Sequence, residues 1–228
     1  MVLRVKRTLR TTPAVVLLLA LAAWYGGRLI AAIGWRGEYL PRWNMVADLQ
    51  VSECLPMEDF FAPRVACSPH YLWFQCAGLF AAVMVAVAGL WLLQRGHGMA
   101  GAAPMGGGFI TAGICAALAL AVDPAHYSTA HYVLEAVAVA AMWCVMAVAG
   151  VTSRRQRAII EEVPRAAAGG PLIPVTWVLL GVSVLGAALT TAAALGTGYG
   201  HPVGLYQRMA IDAPALWLLA LASGWWRR

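Results

Sequence analysis

Residues 71–93 read YLWFQCAGLFAAVMVAVAGLWLL, an apolar run without one charged side chain. At about 1.5 Å per helical residue, this run can cross a hydrocarbon core of about 30 Å. Comparable runs lie on either side of it: 13–33, 107–122, 131–151 and 172–195. The 107–122 run is short and follows a glycine cluster, and the 131–151 run holds one acid, Glu135. A sixth run ends at Trp226, and length decides where it starts. Beginning at Ala213, behind an Asp212 cap with Pro214 in the first turn, it would rise only about 21 Å; beginning near Leu205 it rises about 33 Å, with Pro214 as an interior kink. No long alternation of period two is present, which argues against a β-barrel.

Composition agrees with these runs. Of 228 residues, 61% are hydrophobic and 11% charged, with a mean hydropathy of +0.72. A soluble domain carries about 25% charged residues, so a water-soluble globule is excluded, as is a disordered chain. The expected fold is an all-α membrane protein, a single transmembrane domain over 1–228 with six transmembrane helices. Its connections would be a long extracytoplasmic loop at 34–70 and cytoplasmic loops at 94–108 and 152–170.

Orientation follows from the basic residues near the helix ends. Arg4, Lys6, Arg7, Arg10, Arg95, Arg154, Arg155, Arg157, Arg165, Arg227 and Arg228 fall on one side; Arg28, Arg36, Arg42, Arg64 and Arg208 fall on the other. This division, eleven against five of the 16 Lys and Arg residues, places both termini in the cytoplasm. The net charge of +6 is thereby explained without nucleic-acid binding. The basic start, the apolar Ala14 to Ala20 and the small Ala20-Leu21-Ala22 resemble a signal peptide. The run continues through Trp24, Leu29 and Ile33, which favours a retained anchor.

Half of all the acids, Glu38, Asp48, Glu53, Glu58 and Asp59, sit in the 34–70 loop. A loop of this length is usually functional or folded on itself. Trp35, Trp43, Phe60 and Phe61 are suited to a membrane interface. Cys54 and Cys67 fall in what should be an oxidising compartment, and a disulfide between them is plausible; Cys76, Cys115 and Cys144 read as packing residues. Gly96, Gly98 and Gly101 spell GxGxxG, but a dinucleotide fingerprint requires a preceding strand, and here a spanning helix precedes it. The segment 96–108 is expected to be a flexible loop. Residues 153–169 could form a short surface helix, with three arginines followed by Glu161 and Glu162. Gly181, Ser183, Gly186, Ala187 and Ala188 would let the fifth helix approach its neighbours closely.

The remaining ionisable groups gather near one boundary. His70, His126, His131 and His201 map there, with Asp123, Glu135, Arg208, Asp212 and Arg28; His97 lies at the other side. His131 and Glu135 are four residues apart and share a helix face, as are Arg208 and Asp212. Ionisable groups in a membrane are costly and mark function, so a bundle turning these faces inward would form an outward-facing polar cup. In one reading His126, His131 and Glu135, Asp123 or Asp212 bind zinc and activate water against a lipid. Yet two helical histidines five apart diverge by about 140°, and there is no HExxH. A Ser128 nucleophile and a haem held by paired histidines have weaker support. In the other reading the charges neutralise one another, Arg208 with Asp212 or these with Glu135 and Arg28. No cofactor is then expected.

Asn44-Met45-Val46-Ala47-Asp48-Leu49, Ser68-Pro69-His70, Asp123-Pro124 followed by His126 or His131, Gly204-Leu205-Tyr206-Gln207-Arg208-Met209 and Ala215-Leu216-Trp217-Leu218-Leu219 carry a resemblance. By these motifs the chain resembles a bacterial family of six-helix integral membrane proteins, domain of unknown function 998. The resemblance implies six helices in a bacterial cell membrane and a recurrent polar set of Asp48, a turn histidine and Arg208. It implies no reaction. The loop cysteines and the acid-rich 53–59 segment depart from the family's shorter loop and point to a partner outside the membrane. The function expected is a binding or accessory subunit of the cell envelope, engaging lipid, or other membrane subunits through the 34–70 loop and small-residue helix faces. An intramembrane lipid hydrolase or transferase and a small transporter are the alternatives. Candidate ligand-binding residues are Asp48, Asp123, His126, His131, Glu135, Arg208 and Asp212.

Overall fold

Thr12–Ile33, Tyr71–Arg95, Ala102–Ala121, Ser128–Arg154 and Leu172–Leu195 form helices long and apolar enough to cross a membrane. The computed structural model describes residues 2–57, 59–61, 63–96, 99–160, 172–196 and 200–226, with no side chains for 2–11, 155–160 and 225–226. Glu58, His97, Gly98, Glu161, Glu162, Arg165, Arg227 and Arg228, and with them most of the 152–170 loop, lie outside the described residues.

The helices are α1 (Val2–Ile33), α2 (Tyr71–Arg95), α3 (Ala102–Ala121), α4 (Ser128–Ile160), α5 (Leu172–Leu195) and α6 (Val203–Trp226). The sixth, 24 residues long, carries Arg208 and Asp212 within its length and runs beside α1, α4 and α5. It begins two residues before the expected Leu205, with Pro214 in its interior. Helices α1, α2, α3, α4 and α6 enclose a central space, and α5 packs outside them against α4 and α6.

Small residues bring the backbones together. A Cβ placed on Gly89 of α2 would stand 2.6 Å from the Gly106 carbonyl oxygen of α3, and one on Gly113 would stand 2.6 Å from the Ala82 oxygen. The glycine cluster at 106–108 is therefore inside α3, a correction to the flexible loop expected there. Where lipid supplies no hydrophobic drive between helices, close backbone contact holds them together, and glycine permits it. The turn before α3 needs glycine for a different reason: Gly101 sits at φ 81°, a conformation that a side chain disfavours. The expected 152–170 loop is also helical at its start, since α4 runs to Ile160. Large apolar side chains such as Leu29, Trp73, Val83, Ile114 and Val178 point away from the bundle. Cys76 and Cys144 point outward with them, so neither packs the core as expected, and Cys115 is half-buried.

Pro214 shows how the bundle repairs a kink. It lacks the N–H that would bond the Ala210 carbonyl one turn back. Ser183 of α5 donates its hydroxyl to that carbonyl at 2.6 Å and accepts a bond from the Trp143 indole of α4 at 2.7 Å. The Ser183→Ala variant strands both partners and is expected to lose about 1–3 kcal/mol of stability. Thermal unfolding in detergent measures this; an unchanged midpoint would mean that the carbonyl finds another donor.

The 34–70 loop is folded on itself. It contains a 3-10 turn, Ala47–Gln50, and a hairpin of β1 (Leu55–Met57) and β2 (Arg64–Ala66) in the register Leu55↔Ala66, Pro56↔Val65 and Met57↔Arg64. A Cys54–Cys67 disulfide closes the base of the hairpin. Phe61 is buried edge-on against Tyr132 of α4, with ring centroids 5.5 Å apart. Trp35 packs on Tyr39 at 5.1 Å. Phe61 holds the loop to α4, and Trp35 packs against a cluster that includes Ala31, Phe74 and Leu120 of the helices, whereas Trp43 and Phe60 are exposed.

Candidate functional site: a roofed cavity in the helix bundle

His131 and Glu135 stand one turn apart on α4 and face the centre of the bundle. Both Glu135 oxygens accept from the Gln207 amide of α6 at 2.9 Å. The Gln207 carbonyl oxygen accepts from the Val46 N–H of the loop at 2.6 Å. His131 Nδ1 lies 2.9 Å from the Ala119 oxygen and 3.3 Å from the Val122 oxygen. Carbonyls only accept, so Nδ1 carries the hydrogen. Gln50, from the 3-10 turn, donates to the Val122 oxygen at 2.8 Å alongside it. His131 Nε2 is buried without a hydrogen bond and lies 3.5 Å from Glu135 Oε2.

These four polar residues close one end of a cavity of about 190 Å³. Its walls are apolar, and many of them are small: Gly78, Ala81, Ala112, Ala116 and Ala138 leave the space that bulkier residues would fill. Among the described residues, no Lys, Arg, Ser, Thr or Cys side chain lines it. A surface groove between Leu18 and Tyr25 of α1 and Leu216 and Leu219 of α6 shares Leu21 and Ala215 with the cavity.

The loop roofs this cavity and is tied to three helix ends. Arg208 of α6 donates to the carbonyls of Pro41, Asn44 and Gly204 at 2.5, 2.7 and 2.9 Å and to the Tyr39 hydroxyl. Gln50 holds the end of α3. The Tyr132 hydroxyl of α4 donates to Asp59 at 3.0 Å. Inside the loop, Arg64 bridges Asp48 at 2.8 Å and Asp59 at 2.7 Å, with both carboxylates buried. Burial pushes the Asp48 carboxyl above the usual carboxylate range, against the pull of Arg64. Burial also opposes ionisation of Asp59, but Arg64, the Phe61 N–H and Tyr132 together hold that carboxyl below the usual range. The two carboxylates hold the Arg64 guanidinium charged despite its own burial.

The structure thus sorts the seven sequence candidates. His131 and Glu135 reach the cavity. Asp48 is locked to Arg64 inside the loop. Asp123 caps its own turn, accepting from the Ala125 N–H at 2.8 Å, and has the exposed His126 ring 3.1 Å away. Arg208 and Asp212 do not pair with each other. Arg208 turns to the roof, and Asp212 takes a two-pronged ion pair with Arg28 across the α1–α6 seam, one arm at 3.2 Å. Tertiary partners satisfy each charge better than its helical neighbour does. His126 does not join His131 and Glu135, and among the described residues no three His, Cys, Asp or Glu side chains gather to hold a metal ion. Gln50, Gln207, Arg64 and Tyr132 were missed. Gln207 stands inside the Gly204 to Met209 motif, but an uncharged amide escapes an inventory of ionisable groups.

Compared with protein families, with curated proteins and with solved structures, the chain matches none.

Proposed function

We propose that this is a multi-pass, bacterial-type cell-membrane protein that binds the apolar part of an amphiphilic molecule inside its bundle, as a binding or accessory subunit of the cell envelope. The observation that carries the reading is the apolar cavity of about 190 Å³ with a polar end at His131, Glu135 and Gln207. An engineered apolar cavity of about 150 Å³ already holds one benzene.

In this reading all six helices span, with both termini cytoplasmic and the roofing loop outside. The basic-residue asymmetry supports that orientation, and so does the disulfide, which belongs in an oxidising compartment. The resemblance to domain of unknown function 998 is part of the proposal. Its motifs are neighbours in space: Arg208 and Gln207 bond the Asn44 and Val46 backbone, and His131 bonds the turn before Asp123. The adjacency of His131 and Glu135 favours one alternative, acid–base chemistry on a lipid headgroup. With no Ser, Thr, Cys or Lys side chain among the described lining residues, the attacking group would be water activated by this pair or the Glu135 carboxylate itself.

The test is to purify the protein in a mild detergent, extract it with organic solvent and identify what was bound by mass spectrometry. About one amphiphile per chain is expected, and its removal should lower the unfolding temperature. A chain that carries none, and whose unfolding temperature no added amphiphile raises, would overturn the reading.

A further inference from the structure

The polar end of the cavity selects a head group. With its hydrogen on Nδ1, a neutral His131 presents a bare lone pair at Nε2, and this atom is buried without a hydrogen bond. Glu135 Oε2 lies 3.5 Å away, also an acceptor when ionised. Gln207 already uses its amide on Glu135 and its carbonyl on Val46, and Gln50 uses its amide on Val122. While His131 is neutral, two acceptors therefore face each other at the closed polar end of an apolar chamber, and no Lys or Arg among the described lining residues offers a positive charge. A buried acceptor without a donor is costly, and so is an anion beside a carboxylate.

Resting on the proposal that the cavity binds an amphiphile, we infer that its ligand is a single-chain molecule whose head donates hydrogen bonds and bears no negative charge, the hydroxyl of a long-chain alcohol being the simplest case. The hydroxyl hydrogen lies between His131 Nε2 and Glu135. The first methylenes fill the chamber beside Ala116 and Ala138. The rest of the chain leaves past Leu21 and Ala215 into the α1–α6 groove. A fatty acid, ionised at neutral pH, meets Glu135 with like charge and supplies no donor.

Three probes of one chain length separate the possibilities: 1-decanol, decyl methyl ether and decanoate, titrated at pH 8 into delipidated full-length protein and read by the shift in unfolding temperature and by native mass spectrometry. Decanol is expected to bind at least tenfold more tightly than either of the others, since a hydrogen bond to a charged acceptor discriminates by at least that factor. In Glu135→Leu the preference for decanol over the ether should fall below about threefold while ether binding persists. Equal affinity for decanol and the ether, or tighter binding of decanoate, would overturn the head-group inference and leave the cavity's role intact. Failure of all three probes to bind would overturn both. The comparison of probes on the unaltered protein decides the matter even if the Glu135 variant does not fold.

Discussion

Replacing Arg64 with methionine is expected to cost about 3–5 kcal/mol, because removing one partner of a buried ion pair leaves uncompensated charge behind. Here two charges are stranded at once: the Asp48 and Asp59 side chains are 0% and 1% exposed. Methionine keeps much of the side-chain volume, so the loss reports charge more than packing. The effect should depend on pH with a definite sign. Asp59 has a depressed value in the folded protein, so its contribution is complete above the unfolded value of about 3.9 and is lost as the pH falls through the lower, folded one. In the variant, burial is opposed only by the hydrogen bonds from the Met45 N–H, the Phe61 N–H and Tyr132, so both carboxyls are expected to rise and protonation relieves the strandedness as the pH falls. The gap in unfolding temperature between wild type and Arg64→Met should therefore be wide at pH 7 and narrow toward pH 4. A gap that stays constant or widens on acidification would show that the guanidinium does not hold the loop by charge. Because the 3-10 turn forms part of the cavity roof, the variant should also bind its occupant more weakly.

The second large effect concerns the chamber. Ala116→Phe together with Ala138→Phe places two rings where small side chains on α3 and α4 now leave space. Binding of any amphiphile should fall at least tenfold. The protein should lose no more than the roughly 1–3 kcal/mol that overpacking costs, and filling an otherwise empty cavity works in the opposite direction. Co-purified amphiphile per chain, measured beside the unfolding temperature, tests this. A variant that unfolds normally yet retains its occupant would move the binding site elsewhere on the molecule. The Arg64 and cavity variants are complementary, one removing the roof's anchor and the other the room beneath it.

Several features were legible in the residues alone. Long uncharged runs such as 71–93 have few structures open to them besides a helix, because every backbone group in hydrocarbon must be bonded within its own segment. The extent of α6 was legible for a similar reason: Pro214 can sit inside a helix when a neighbour satisfies the freed carbonyl, and Ser183 does so. The i and i+4 relation of His131 and Glu135 fixed their shared face, since helical geometry is local. The same rule failed for Arg208 and Asp212. They too share a side of the helix, but Arg28 and the carbonyls of the roof offered closer partners, and those come from α1 and the loop.

The sequence by itself determined the helical class, the apolar helical runs and the length of the first loop, all of which depend on hydropathy and spacing along one segment. Only the tertiary structure decided that α5 stands outside the ring, that the glycines at 106–108 belong to α3, and that Gln50 and Gln207 complete the polar end of a cavity. Each of those depends on how helices are rotated against one another. Rotation is set by side chains meeting across distant segments, as when Gln207 reaches both Val46 and Glu135, and no local periodicity encodes that meeting.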